Sequence, residues 1–246
     1  MIQGIDHIVI VVGDLESAIT DYSRLGFTVI RGGRHSRLNS ENALVAFADG
    51  AYFELIAFFE PRPAEPHWWQ AELQKGGSLA DFCVRSDGVE HDAGAFRHAG
   101  ASIGAPFQMG RERPDGYQVS WVLAVNEGES RGLVPFFIRD ITPRDERVPR
   151  ERSHPNGTKG IASLTVVAAD AASIAAIYEA AMDESGEPIT RSDLAAGGMK
   201  ASGSARTNWK SSHHWHLQGS PPSGCGRADP ARSRSGSTPA ALNVAR

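Results

Sequence analysis

The chain has 246 residues, 41% of them hydrophobic and 22% charged, a balance that suits an ordinary soluble globular protein of one large or two small domains. A net charge of −4 offers no basic footprint for nucleic acid. No run approaches the ~20 apolar residues of a membrane span, and no basic and apolar leader opens the chain, so a cytoplasmic protein is expected.

Ile5 to Val12 has the character of a buried strand. Asp14 then caps a helical stripe of Leu15, Ala18, Ile19, Tyr22 and Leu25, which Gly26 closes. Phe27 to Arg31 is predicted as a second strand, followed by a turn at Gly32 to His35. Ala43 to Phe47 makes a third strand, and Asp49-Gly50 is a hairpin signal leading into Tyr52 to Phe58. The order is β-α-β-β-β.

A Pro-rich connector at 60–66 and a short amphipathic stretch around Trp68 to Leu73 precede a second copy of this order. Leu79 to Arg85 is its first strand, and Asp87 with Glu90 fits a capping box. Val89, Ala93, Phe96 and Ala99 form its helix stripe, and Tyr117 to Val125 and Leu133 to Arg139 give later strands. Residues 141–159 read as a polar linker. A third unit begins with Ile161 to Ala168, the cap Asp170 and the stripe Ile174, Ile177, Tyr178 and Ala181. From 191 to 246 the chain is rich in Ser, Gly, Ala, Pro and Arg without sustained period. Such sequence buries too little apolar area to offset chain entropy, so a disordered tail is predicted. A natural tail and a reading-frame change near residue 190 both account for it.

Gly4 to Asp14, Ser78 to Asp87 and Gly160 to Asp170 are therefore three copies of one pattern, a β-rich run ending in an Asp that opens a helix. Their fourth positions are His7, Asp81 and Ser163, so the chemical equipment falls away from copy to copy. Alternation along the first and fourth strands of the first unit gives Ile5, His7, Val9 and Val11 one shared face, and likewise Tyr52, Glu54, Ile56 and Phe58, which is compatible with His7 and Glu54 facing the same way. The two cysteines, Cys83 and Cys225, make no disulfide framework.

Ile5 to Val9, Gly32 to His35 with Asn42 to Leu44, Tyr52 to Ile56, Pro114 to Gly116 with Trp121, and Pro135 to Ile138 together resemble the vicinal-oxygen-chelate superfamily of glyoxalases, extradiol dioxygenases and bleomycin-resistance proteins. More narrowly the chain resembles the glyoxalase-like domain, over about residues 3–182. Ser36 to Glu41 departs from that group, in which the Arg-His of the Gly-Gly segment is followed by a Pro and a Gly-Thr.

The resemblance implies an α+β fold: tandem βαβββ units (3–58 and 78–139, within a paired domain at 1–140) form a curved mixed sheet with a central cavity. An incomplete third βα unit at 160–190 and the disordered tail follow. It implies a divalent metal (Zn, Ni, Mn or Fe) where the first and last strands of the units converge, held by His7, Glu54 and Asp81. The last strand of the second unit, Val134 to Arg139, offers neither His nor Glu. Glu54 and His35 are then the candidates to move a proton, with Tyr52, Asn42 and Trp121 against a small oxygen-rich substrate. The function expected is metal-dependent lyase, isomerase or dioxygenase chemistry. The alternative is a metal-free cavity that binds or sequesters a small molecule. The repeat is compatible with one cleft within the chain and with exchange across a homodimer.

Overall fold

Two runs of alternating apolar residues cannot each bury a face alone, and in the computed structural model they do so against each other. The structure describes residues 1–59, 67–182, 206–208, 214–219 and 240–245. The first unit comprises β1 (Ile2–Val12), α1 (Leu15–Arg24), β2 (Ile30–His35), β3 (Ser40–Ala46) and β4 (Tyr52–Phe58). After the short α2 (Gln70–Gln74), the second comprises β5 (Gly77–Ser86), α3 (Val89–His98), β6 (Phe107–Glu112), β7 (Gln118–Ala124) and β8 (Phe136–Asp140).

These strands close into a barrel in the order β1-β4-β3-β2-β6-β7-β8-β5. In each unit the first strand runs parallel to the last, β1 with β4 and β5 with β8. Two antiparallel seams join the units, β1 to β5 and β2 to β6. The mixed curved sheet with a central cavity is thus formed within one chain.

Side chains sort to the two faces of this wall. Val9, Val11, Ile56, Met109, Trp121, Leu123, Phe136 and Ile138 pack inside. Ile5, Ile8, Phe53, Phe82, Phe96 and Phe137 pack outside. Ile5 leaves the face shared by His7, Val9 and Val11 because a bulge at Asp6 shifts the β1–β5 register between Ile5 and His7. Alternation was therefore a sound guide only from His7 onward.

Asp14 caps α1 by accepting from the Ser17 amide at 2.7 Å, and Asp170 does the same for Ser173 at 3.1 Å. The expected capping box at Asp87 is not formed. Gly88 is the residue before α3, and the Asp87 carboxylate instead takes the N-terminal amine. The segment Gly32 to His35, read as a turn, is the body of β2. Gly33 has φ +126°, and a Cβ there would overlap the Glu112 carbonyl across the seam, so only glycine lets β2 and β6 approach. β6 itself was not foreseen, nor was α4 (Arg144–Arg147) inside the supposed linker.

The third unit supplies β9 (Gly160–Ala168) and α5 (Ala171–Met182), which packs on α3. Within the low-complexity segment, β10 (Arg206–Asn208), β11 (His214–Gly219) and β12 (Ala240–Ala245) form a four-stranded sheet with β9 in the order β10-β11-β9-β12. The remainder of 183–246, on which the prediction of a disordered tail chiefly falls, lies outside the described residues. Among those described, no helix is long and apolar enough to cross a membrane.

Candidate functional site

The β1 bulge puts Asp6 and His7 side by side on the inside of the barrel. His7 Nδ1 lies 2.7 Å from Asp6 Oδ1, which fixes the ring and leaves Nε2 facing inward. Asp6 is in turn held by Arg147, whose Nη1 and Nη2 each donate to it at 3.0 Å, and by Arg144. Burial would raise the Asp6 carboxyl, but the two guanidinium groups outweigh it and hold the pKa well below the usual range. The His7 ring is clamped from the other side by Tyr52, stacked with centroids 4.7 Å apart. The Tyr52 hydroxyl accepts from Arg147 Nη1 at 2.7 Å, so its own hydrogen is what it can offer a bound molecule.

β4 places Glu54 opposite this assembly. Its Oε2 is 3.5 Å from His7 Nε2 and its Oε1 is 3.4 Å from His35 Nε2. Asn42 Nδ2 donates to Oε1 at 2.6 Å. Burial pushes the Glu54 carboxyl up, but the hydrogen bond from His35, the charges of His7 and His35 and the Asn42 amide prevail and hold it at about 2. His35 is oriented by Ser40, whose Oγ is 2.9 Å from Nδ1. The centre of the barrel is thus a carboxylate held between two imidazoles.

Around it is a narrow cavity of about 30 Å³, room for a few non-hydrogen atoms, walled by Trp69, Trp121, Phe136, Arg111 and Arg147 among others. Trp121 meets His35 edge-on at 6.3 Å. Of the residues expected from sequence, His7, His35, Tyr52, Glu54 and Trp121 come together at this cavity. Asn42 stands behind Glu54 and is not part of the wall. Asp81 is not brought to Glu54. Its register partner is Val9, while Cys83 lies across from His7, and its carboxylate is taken up by Trp69 Nε1 at 3.1 Å and the Phe82 amide at 2.9 Å. Burial is the main influence on Asp81 and pushes its pKa up to about 7.

His7 and Glu54 present an imidazole and a carboxylate, ligand types that divalent first-row metals take, but among the described residues they and His35 do not bring three donor atoms within 4.8 Å of one another. A tighter grouping of Asp6, His7 and Cys83 also exists among the described residues. It is ill-suited to a cation, because Asp6 is already matched by two arginines and burial pushes the Cys83 thiol well above its ordinary pKa.

Sequence reasoning missed Arg111 and Arg147. Arg147 sits in the segment read as a linker, where the spacing Asp140, Arg144, Arg147 was the one available hint of a helical charge cluster.

A family model described as "Glyoxalase-like domain" matches residues 5–182. Among solved structures, a hypothetical protein from Staphylococcus aureus is similar with a TM-score of 0.62 at 14% identity, over 88% of this chain and 86% of that one. A mutant of 4-hydroxymandelate synthase from Streptomyces coelicolor gives a TM-score of 0.53 at 16% identity, over 88% of this chain and 63% of that one. Methylmalonyl-CoA epimerase from Mycobacterium tuberculosis gives 0.40 at 18% identity, over 56% of this chain and 86% of that one. At such identities the likeness speaks for the fold alone. No curated protein matches the chain.

Proposed function

The chain belongs to the glyoxalase-like domain family, and from that premise we propose that its barrel binds a small oxygen-rich molecule and carries out metal-dependent lyase, isomerase or dioxygenase chemistry on it. The observation that carries this reading is Glu54, a buried carboxylate between the Nε2 atoms of His7 and His35. His7 and Glu54 would hold the divalent metal, with His35 beside them. When bound, the metal would act as a Lewis acid on the vicinal oxygens of the substrate.

The chain's own residues divide the remaining work. A carboxyl held at about 2 is a weak proton acceptor at neutral pH, so Glu54 serves better as an anionic ligand than as a general base. Proton movement then falls to His35, which lies at the wall with one nitrogen on Ser40 and the other on Glu54. Asp6 keeps His7 in one orientation, and Tyr52 and Trp121 exclude water from the reacting end of the substrate.

A second reading, sequestration of a small molecule without metal, is favoured by one specific contact. Asn42 already supplies Glu54 with a hydrogen bond, so the carboxylate is satisfied by protein groups alone. Elemental analysis of protein purified without affinity tag or chelator separates the two. Near-stoichiometric metal that disappears in His7→Ala and in Glu54→Ala is the expected result. Absence of metal after reconstitution with Zn²⁺, Ni²⁺, Mn²⁺ and anaerobic Fe²⁺ would leave sequestration as the function.

A further inference from the structure

Arg111 pairs with His35 across the β2–β6 seam, so the two side chains project to one face and both reach the cavity. The Arg111 side chain is buried, at 3% exposure. Its Nη2 donates to the Arg147 carbonyl at 2.6 Å, and its Nε is buried without a partner. Among the described residues no carboxylate lies within ion-pair distance of it, whereas Arg147 beside it is matched by Asp6 and Asp140. A guanidinium taken out of water without a counter-ion is costly, and such groups are ordinarily completed by an anion. Arg111 also lines an outer groove of about 590 Å³, so it stands where that groove and the inner cavity meet.

We propose that Arg111 receives the carboxylate of a small oxygen-bearing carboxylic acid, with a second oxygen of that acid facing His7 and Glu54. Planar guanidinium and planar carboxylate match edge to edge, which suits a cavity of about 30 Å³ better than a tetrahedral dianion close to the Glu54 charge. The smallest oxygen-bearing carboxylic acids, of two or three carbons, come nearest to that size. The inference rests on the barrel cavity being the ligand site, as proposed above.

The test compares lactate and pyruvate with their neutral counterparts lactamide and pyruvamide, by calorimetry and by the fluorescence of the wall tryptophans, with and without Mn²⁺. Wild-type protein is expected to bind the acids at least tenfold tighter than the amides. Arg111→Met should bring the acids down to the affinity of the amides, with Arg111→Lys falling between. Equal affinity of wild-type protein for acid and amide overturns the inference and needs no variant. If His7→Ala abolishes that equal binding, the cavity reading still stands. If wild-type protein binds neither acid nor amide, with or without Mn²⁺, the inference and the cavity reading fall together.

Discussion

Arg147 lies along Asp6 with its two terminal nitrogens 3.0 Å from the two carboxylate oxygens, in a pair almost wholly removed from water. Through Asp6 this pair fixes His7, and through Tyr52 it fixes the ring that stacks on His7. Breaking a buried ion pair from one side leaves an uncompensated charge, so Arg147→Met should cost about 3–5 kcal/mol in urea denaturation. Arg144 reaches the same carboxylate from a more exposed position, and Arg144→Met should cost about 1 kcal/mol. Equal effects of the two substitutions would show that Asp6 does not depend on Arg147 in particular.

Acid should unfold the barrel partly through Glu54. Its carboxyl is lowered from 4.5 to about 2, so the unfolded chain takes up the proton first as pH falls. The stability it contributes is complete above about pH 4.5 and is lost as pH drops towards 2, a span on the order of 3 kcal/mol. Glu54→Gln should flatten the denaturation midpoint over that window. A variant with the wild-type acid profile would remove Glu54 from this account.

What the sequence disclosed and what it hid differ for physical reasons. Periodic apolar stripes and the caps at Asp14 and Asp170 are local, and both survive into the fold. His7 and Glu54 stood out because a histidine and a glutamate on apolar strands need a reason to be buried. Asp81 misled because it shares the repeat position of His7, yet register is set between strands, and the pairing puts Cys83 across from His7. β6 was hard to read because only Phe107 and Met109 of Phe107 to Glu112 are large and apolar, so a strand that turns Arg111 to the cavity looks like a surface loop. Arg111 was hidden with it.

Asp81 should affect stability in the opposite sense to Glu54. Its pKa is raised from 3.8 to about 7, so the folded protein keeps a proton that the unfolded chain releases. Stability then falls as pH rises from about 4 to about 7, by on the order of 4 kcal/mol. Asp81→Asn keeps an oxygen to accept from Trp69 Nε1 and has no charge to bury. Thermal melts at pH 5 and pH 8 should show the variant gaining on wild type at the higher pH. No relative gain between the two would mean that the carboxylate stays charged in the folded barrel.

The third unit offers a further test, because its helix is bound to the second unit by few but specific contacts. Tyr178 of α5 is buried against Phe96 of α3, ring centroids 5.6 Å apart, and its hydroxyl donates to the Leu133 carbonyl at 3.0 Å. Tyr178→Phe keeps the ring and strands that carbonyl, which should cost about 1 kcal/mol. Tyr178→Ala also opens a cavity beside Phe96 and should cost about 3–5 kcal/mol. Ile161, Leu164 and Ile174 share one apolar cluster with Phe96 and Phe137 of the second unit, so the loss should lower a single denaturation midpoint for the whole fold. Phe96→Ala combined with Tyr178→Ala should cost less than the sum of the two, since the second removes a contact already lost. With Trp209 and Trp215 replaced by phenylalanine, since Trp215 lies in β11 beside β9 of the third unit, tryptophan fluorescence follows the barrel through Trp68, Trp69 and Trp121. A barrel transition left unmoved by Tyr178→Ala, with only part of the helical signal melting early, would show that the third unit folds as a separate piece.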